Sequence, residues 1–380
     1  MAVTSDPFRT QLDALAARAR LRRLAPRAGH DFASNDYLGL AHDPAVARAV
    51  AEAIARGVPI GSGGSRLLRG NTPEHEALEA RAAALFGSEA ALFMANGFLA
   101  NGAILAGLPG PGDLIVADAL IHASAHDGMK LGRARHVLAA HGDAQAFDDA
   151  IRHWRAEGGT GRPWIVAETL YSMDGDRAPV DDLAAVAARH EAMLVLDEAH
   201  ATAVHGPGGR GLAAHLEGLP HVVMLHTCGK GLGVEGALVT GARPVIELLV
   251  NRGRGFVFST APSPLMAVAV QAALERMIAA DAERAALAAL VDHAGNAICA
   301  SLDLPPPRSQ ILPIVLGDDA RTMQVAEALQ AAGFDVRGIR PPTVPRGTAR
   351  LRISLTLNVT APIVDALGEA LRTALAQAAA

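Results

Sequence analysis

Two stretches decide the fold: Ala192-Met193-Leu194-Val195-Leu196-Asp197-Glu198-Ala199-His200, and Val222-Val223-Met224-Leu225-His226-Thr227-Cys228-Gly229-Lys230-Gly231. Each begins as an unbroken apolar run and ends abruptly in polar residues. A strand buried on one face alternates; an unbroken run is buried on both. Ala90–Met94, Leu114–Ala117 and Trp164–Ala167 have the same character, and all five read as buried parallel strands. Between several of them lie Ala/Leu-rich stretches with helical spacing, such as Ala144–Glu157 and Leu183–His190. Strands of this kind joined by helices predict an α/β architecture, a mostly parallel sheet covered on both sides. From about Pro264 the pattern changes. A long helical stretch, Leu265–Ala297, leads to a strand at Ile311–Leu316, a helix at Ala320–Ala332, strands near Phe334–Arg337 and Arg350–Leu355, and a last helix. Pro305-Pro306-Pro307 and Arg340-Pro341-Pro342 mark loops there. The expected organisation is an N-terminal helical arm over 1–35, a large domain over 36–272 and a smaller C-terminal α+β domain over 273–380.

Composition narrows the function classes. Of 380 residues half are apolar and 19% charged, with net charge −5, which excludes a disordered chain and gives no basic footprint for nucleic acid. Aromatics are 3%, so Ala, Leu and Val must fill the core. Two cysteines, Cys228 and Cys299, exclude a disulfide framework or multi-cysteine metal site and suit a reducing cytoplasm. The stretch from Met1 to Arg27 has no apolar signal core. Arginines around Leu12, Leu15 and Leu21 mimic a transit peptide, but Asp6 and Asp13 favour an amphipathic arm packed on the protein. Ala90–Gly112 is uncharged enough to mimic a membrane span. Asn96-Gly97, Asn101-Gly102 and Pro109-Gly110-Pro111-Gly112 break it, so a buried strand, a turn and a buried helix are expected, in a soluble protein with no membrane contact.

In an open α/β sheet, ligands bind beyond the carboxyl ends of the strands. After Met94 comes Asn96-Gly97-Phe98; after Ala117, Asp118 and His122-Ala123-Ser124; after Ala167, Glu168-Thr169 and Tyr171–Asp176; after Leu196, Asp197–His200; after Leu225, His226–Gly231. Singly, each has a plain structural reading: Asp197 as a helix cap, His122 as a satisfied histidine, Lys230 as a solvated loop lysine. Jointly they converge on one ligand. A phosphate-binding Walker loop would need Gly at position 224 and a hydroxyl after the lysine, where Met224 and Gly231 stand. There is no G-x-G-x-x-G after the first strand, no G-x-S-x-G around Ser62 or Ser65, and no H-E-x-x-H. What remains is a lysine on a Gly-rich turn, one strand after a buried aspartate. Pyridoxal phosphate needs that pairing: an amine for its aldehyde, an anion for its pyridine nitrogen, and backbone N–H groups at a helix start for its phosphate. Lys130 and Lys230 are the only lysines, and Lys130 falls in a helical stretch with a solvated face, which leaves Lys230.

The chain resembles the α-oxoamine synthases, a family of fold-type I pyridoxal-phosphate enzymes. The resemblance rests on Ser34-Asn35-Asp36-Tyr37-Leu38-Gly39-Leu40, Gly61–Arg66, Ser172–Asp176, Asp197–His200, Thr227–Gly231 and Arg340–Pro345, which run in family order along nearly the whole chain. It implies a fold-type I transferase in which Lys230 holds the cofactor and moves protons, Asp197 pairs with the ring nitrogen and His122 stacks on the ring. Ser172 and His200 would lie near the phenolic oxygen. Thr227, with the amides of Gly97 and Phe98, would hold the phosphate, helped by Thr260 from a neighbouring subunit of a homodimer. Asn35 and Arg352 would hold the amino acid's carboxylate, and Arg22 and Thr343 would touch the acyl substrate. Leu24–Ala33 is shorter than the family's hairpin, leaving Arg23 as the alternative to Arg22. The Arg340–Pro345 segment favours decarboxylative condensation of L-alanine with a pimeloyl thioester, on CoA or a carrier protein, in biotin biosynthesis. The alternatives are the sister activities: glycine C-acetyltransferase, 5-aminolevulinate synthase and serine palmitoyltransferase. A non-catalytic scaffold would not need Lys230, Asp197, His122 and Arg352 together.

Overall fold

The structure, a computed structural model, describes residues 6–378. Its strands are β1 (His30–Asp31), β2 (Ala90–Met94), β3 (Leu114–Asp118), β4 (Arg135–Ala139), β5 (Pro163–Glu168), β6 (Met193–Asp197), β7 (Val222–Thr227), β8 (Ala237–Gly241), β9 (Ile311–Gly317), β10 (Phe334–Asp335), β11 (Arg337–Ile339) and β12 (Ala349–Ser354). Two compact units divide the chain. One contains Leu38–Ser172 and Asp176–Arg284; the other contains the chain up to Tyr37, Met173–Gly175 and everything from Ala285.

The first of these units is built on a seven-stranded sheet in the order β2-β8-β7-β6-β5-β3-β4. From β7 to β4 all pairings are parallel, and β5, β6, β7 and β3 are buried along their whole length. Because side chains alternate across a sheet, each of these strands feeds two cores. Met193, Val195, Val166 and Val223 pack beneath the helix Gly97–Gly107. Leu194, Leu196, Ile165 and Met224 pack against the helices Ala144–Ala156 and Val180–Arg189, through Phe147, Ile151 and Leu183. Each such fully buried side chain stabilises the fold by ~1.5–3 kcal/mol relative to exposure.

The structure departs from the sequence reading at four points. Ala90–Met94 is a strand running in the same direction as β3–β7, but it is not paired with any of them: β8, antiparallel to both, lies between β2 and β7. β8 itself was hidden because five residues ending in Thr240-Gly241 directly follow a Gly-rich turn. β4, an edge strand with Arg135, His136 and Leu138 exposed, lacks the apolar run that marks a buried strand. The long helix expected over Leu265–Ala297 is two, Pro264–Ile278 and Asp281–Ala294. Asp281 and Glu283 restart it with acids suited to a helix N-terminus, and Arg284 donates to the carbonyl of Met277 at 2.7 Å.

In the second unit, β11-β12-β9 form an antiparallel sheet and β1 pairs with β10 in parallel. Helices Asp319–Ala331 and Ala361–Gln377 accompany them. The N-terminal helix Pro7–Ala17 forms, started by Asp6, but buries nothing, so the amphipathic arm does not pack its apolar residues in this chain: Phe8, Leu12 and Leu15 are exposed. Among the described residues one stretch, Asp281–Leu302, is long and apolar enough to cross a membrane by length and composition alone.

Candidate active site

Strand parity sorts the polar residues at the sheet's carboxyl end. Glu168, Asp197 and Thr227 share a face with Val166, Val195 and Leu225, the face covered by the helix Gly97–Gly107. They line a cavity of about 250 Å³ together with Asn101, His122, His200 and Lys230. Asp118, Glu198 and His226 stand one residue out of phase, on the opposite side. There Asp118 accepts from His141 and from the amides of Leu120 and Gly142. Glu198 accepts from Thr169 and from the amides of Leu212 and Ala213. His226 stacks on Phe86 and bonds Thr202.

On the cavity side, Asp197 is buried and its two oxygens are aimed by separate donors. The Ala199 amide reaches Oδ1 at 2.9 Å, and Asn101 Nδ2 reaches Oδ2 at 2.8 Å. The same Asn101 amide donates to Ser124 Oγ at 3.0 Å, leaving that hydroxyl's proton for His122 Nδ1, 2.7 Å away. The Ser124 amide also points at Nδ1. Nδ1 is therefore the acceptor, and the imidazole carries its proton on Nε2. Desolvation lowers the pKa of His122, opposed by Asp197 and reinforced by Lys230, so the ring is neutral near pH 7. Asn101 and Ser124 were missed as site residues. The available signal was an asparagine one helical turn into an otherwise apolar helix, on the side of Gly97.

Backbone shape completes the cavity. Asn96 caps the helix Gly97–Gly107 by accepting from the Leu99 amide at 2.9 Å, while the first N–H groups of any helix lack partners within it. At Gly97 a Cβ would stand 2.5 Å from Thr227 Cγ2, so only glycine lets the helix start and the end of β7 meet this closely. Lys230 sits on the turn joining β7 to β8. That turn is fixed by Cys228 N–H to Gly236 O (2.9 Å), Val234 N–H to Cys228 O (3.0 Å) and Gly233 N–H to Lys230 O (2.8 Å). Gly233 has φ +68°, and a Cβ there would run into the Ala41 amide. Glu168 was also missed: it is fully buried, registers with Asp197 on the neighbouring strand, and one of its oxygens has no partner. Its pKa is pushed up to about 8, by burial first and by Asp197 second.

Not every expected residue lies in this wall. Ser172 is half-buried on the loop after β5, and Thr260 is exposed on the segment where the Ala261 amide bonds Gly64 O; neither lines the cavity. The four expected substrate contacts fall in the other unit, as two pairs. Arg352 Nη2 donates to Asn35 Oδ1 at 3.0 Å and Nη1 to Ser354 Oγ at 2.8 Å, while Tyr37 also bonds Asn35. Arg22 Nη2 donates to Thr343 Oγ1 at 3.0 Å. Lys130, in contrast, lies in the last turn of the helix Ala123–Leu131 with its side chain exposed, 3.9 Å from Asp127.

Residues 29–371 match the aminotransferase class I and II family, and the chain belongs to it. Within that family the chain is similar to the 8-amino-7-oxononanoate synthase of Anaeromyxobacter dehalogenans, at 43% identity over 97% of this chain and 96% of that protein. A solved 8-amino-7-oxononanoate synthase from Francisella tularensis superposes with TM-score 0.78 at 26% identity, covering 93% of this chain and 99% of that one. A solved SPT with PLP internal aldimine superposes with TM-score 0.88 at 25% identity, over 98% and 99%.

Proposed function

We propose that this chain condenses L-alanine with a pimeloyl thioester, on CoA or a carrier protein, releasing CO2 and the thiol to give 8-amino-7-oxononanoate, with pyridoxal phosphate as cofactor. The observation that carries the reading is the chain Asp197–Asn101–Ser124–His122 in one cavity with Lys230. The residues fit the cofactor: a buried carboxylate with both oxygens fixed, an amine on a rigid turn, a helix start that tolerates no side chain, and an unsatisfied buried carboxyl oxygen in the wall. Bound there, the cofactor supplies an electron sink for charge at the amino acid's Cα.

The chain's own residues then do the following. Lys230 would hold the cofactor's aldehyde, and its amine would take the proton from the substrate's Cα and later return one. Asp197 would hold the ring nitrogen and favour its protonated form, because a buried negative charge favours a cation beside it. Asn101 holds that carboxylate in place. His122, neutral, turns Nε2–H toward the thioester oxygen as negative charge gathers there. Thr227 and the Gly97 and Phe98 amides bind the phosphate, with Thr260 contributed by the second subunit of a homodimer. Ser172 and His200 serve the phenolic oxygen. Arg352 and Asn35 hold the alanine carboxylate, for which a guanidinium fork suits better than an ammonium. Arg22 and Thr343 contact the acyl chain. The protein works in the cytoplasm, where its two buried thiols stay reduced.

The test is a panel of L-alanine, glycine and L-serine against short, pimeloyl and long acyl thioesters, read by product mass. Alanine with the pimeloyl donor should dominate. Dominance of glycine or serine with another donor would move the chain to a sister activity.

A further inference from the structure

Glu168 ends β5 directly beside Asp197 at the end of β6, the two residues paired in register on one face. Neighbouring strands lie ~4.8 Å apart, so the two buried carboxyls are close neighbours. Their partners differ. Asp197 is held by the amides of Asn101 and Ala199. Glu168 is 2% exposed and borders the cavity, and its Oε1 has no hydrogen-bond partner. The groups that face it are Asp197, which disfavours its ionised form, and Lys230, which favours it, while the His122 and Ser172 amides donate to it; Tyr171, near both Glu168 and Asp118, stays a neutral phenol. Two adjacent buried carboxyls do not both ionise. Asp197 has donors on both oxygens, whereas Glu168 has one oxygen with no partner, so Glu168 is the one that keeps a proton.

We propose that Glu168 is a positioning residue that works as a neutral carboxylic acid, donating a hydrogen bond from its cavity-facing oxygen to an oxygen of the bound ligand. This places one negative charge beneath the site instead of two. It also gives the wall a donor that releases its proton only above about pH 8. The acceptor is an oxygen of the cofactor or of the amino-acid substrate; the chemistry is the same and the experiment separates them. The inference rests on the cofactor reading only for the identity of the acceptor, since the neutral acid belongs to the protein itself.

The test uses Glu168→Gln, which keeps shape and a donor without a titrating proton, and Glu168→Asp, which keeps the acid but withdraws it by one methylene. Infrared difference spectra on the purified protein should show a protonated-carboxyl carbonyl band at pH 7 that fades as pH rises through about 8 and is missing in E168Q. If wild type lacks that band, or E168Q retains it, the proposal is overturned, whatever the cofactor. With pyridoxal phosphate added, the visible spectrum of wild type should carry a transition near pH 8 that E168Q lacks. That result identifies the cofactor as acceptor. If the spectra coincide but E168D weakens L-alanine binding ~10-fold or more while E168Q restores it, the acceptor is the substrate. Coincident spectra together with unchanged alanine binding in both variants overturn the proposal. Failure of wild type to show any cofactor band would instead strike the cofactor reading and leave the infrared result standing.

Discussion

The two sides of one sheet use the same kinds of residue to opposite ends. Asp197 and Glu198 are consecutive, as are His226 and Thr227, and strand alternation sends one of each pair to either side. On the side of the helices Ala144–Ala156 and Val180–Arg189, Glu198 and Asp118 take their donors from backbone amides and nearby side chains of the same unit. On the other side, Asp197 is fixed by Asn101, Glu168 keeps an oxygen without a partner, and a cavity stands in front of both. A buried acid whose partners are complete stabilises the fold. On the cavity side Asp197 and the unpartnered oxygen of Glu168 face space a ligand can fill, and a shift of one residue along a strand exchanges the two sides.

Breaking this contrast on the cavity side gives the largest effects. Lys230→Ala removes the proposed proton-moving amine, and turnover should fall by at least ~10²–10⁴-fold, measured by product mass with alanine and pimeloyl thioester. Asp197→Asn keeps the shape and removes the charge; kcat should fall ~10²–10³-fold with little change in melting temperature. The mirror change, Glu198→Ala, orphans the Leu212 and Ala213 amides and the Thr169 hydroxyl, so stability should fall by about 3 kcal/mol in a denaturant titration while kcat of the folded fraction changes less than twofold. If the two swapped phenotypes, the sorting by strand parity would be wrong. Arg352→Lys should raise KM for alanine ~10-fold with a smaller loss in kcat, because the ammonium cannot offer a fork. The mildest effect is on pH. Since burial lowers the His122 pKa, the acid limb of kcat should fall below the ordinary imidazole value of 6.5, and Ser124→Ala should move it.

What the sequence showed depended on how much a residue's neighbours in the chain decide its role. The buried strands β3, β5, β6 and β7 were legible because burial on both faces writes an unbroken apolar run. β4 and β8 were not: an exposed edge strand and a five-residue return strand get their pairing from the sheet, not from their own composition. That Lys230 and Asp197 meet at one cavity was legible because each follows a readable strand. Asn101 and Glu168 were passed over for a different reason. An asparagine in a helix and a glutamate after a strand are ordinary in one dimension; only folding brings Asn101 within 2.8 Å of Asp197 and sets Glu168 beside it. The pairing of β2 was not legible because an apolar run says nothing about which strand lies beside it, here the reversed β8.

The central claim is a covalent bond at position 230. Borohydride treatment of the purified, pyridoxal-phosphate-loaded protein, followed by peptide mass mapping, tests it directly. The account predicts the phosphopyridoxyl mass on the peptide containing Lys230 and nowhere else. Label on exposed Lys130, or on neither lysine, would contradict it.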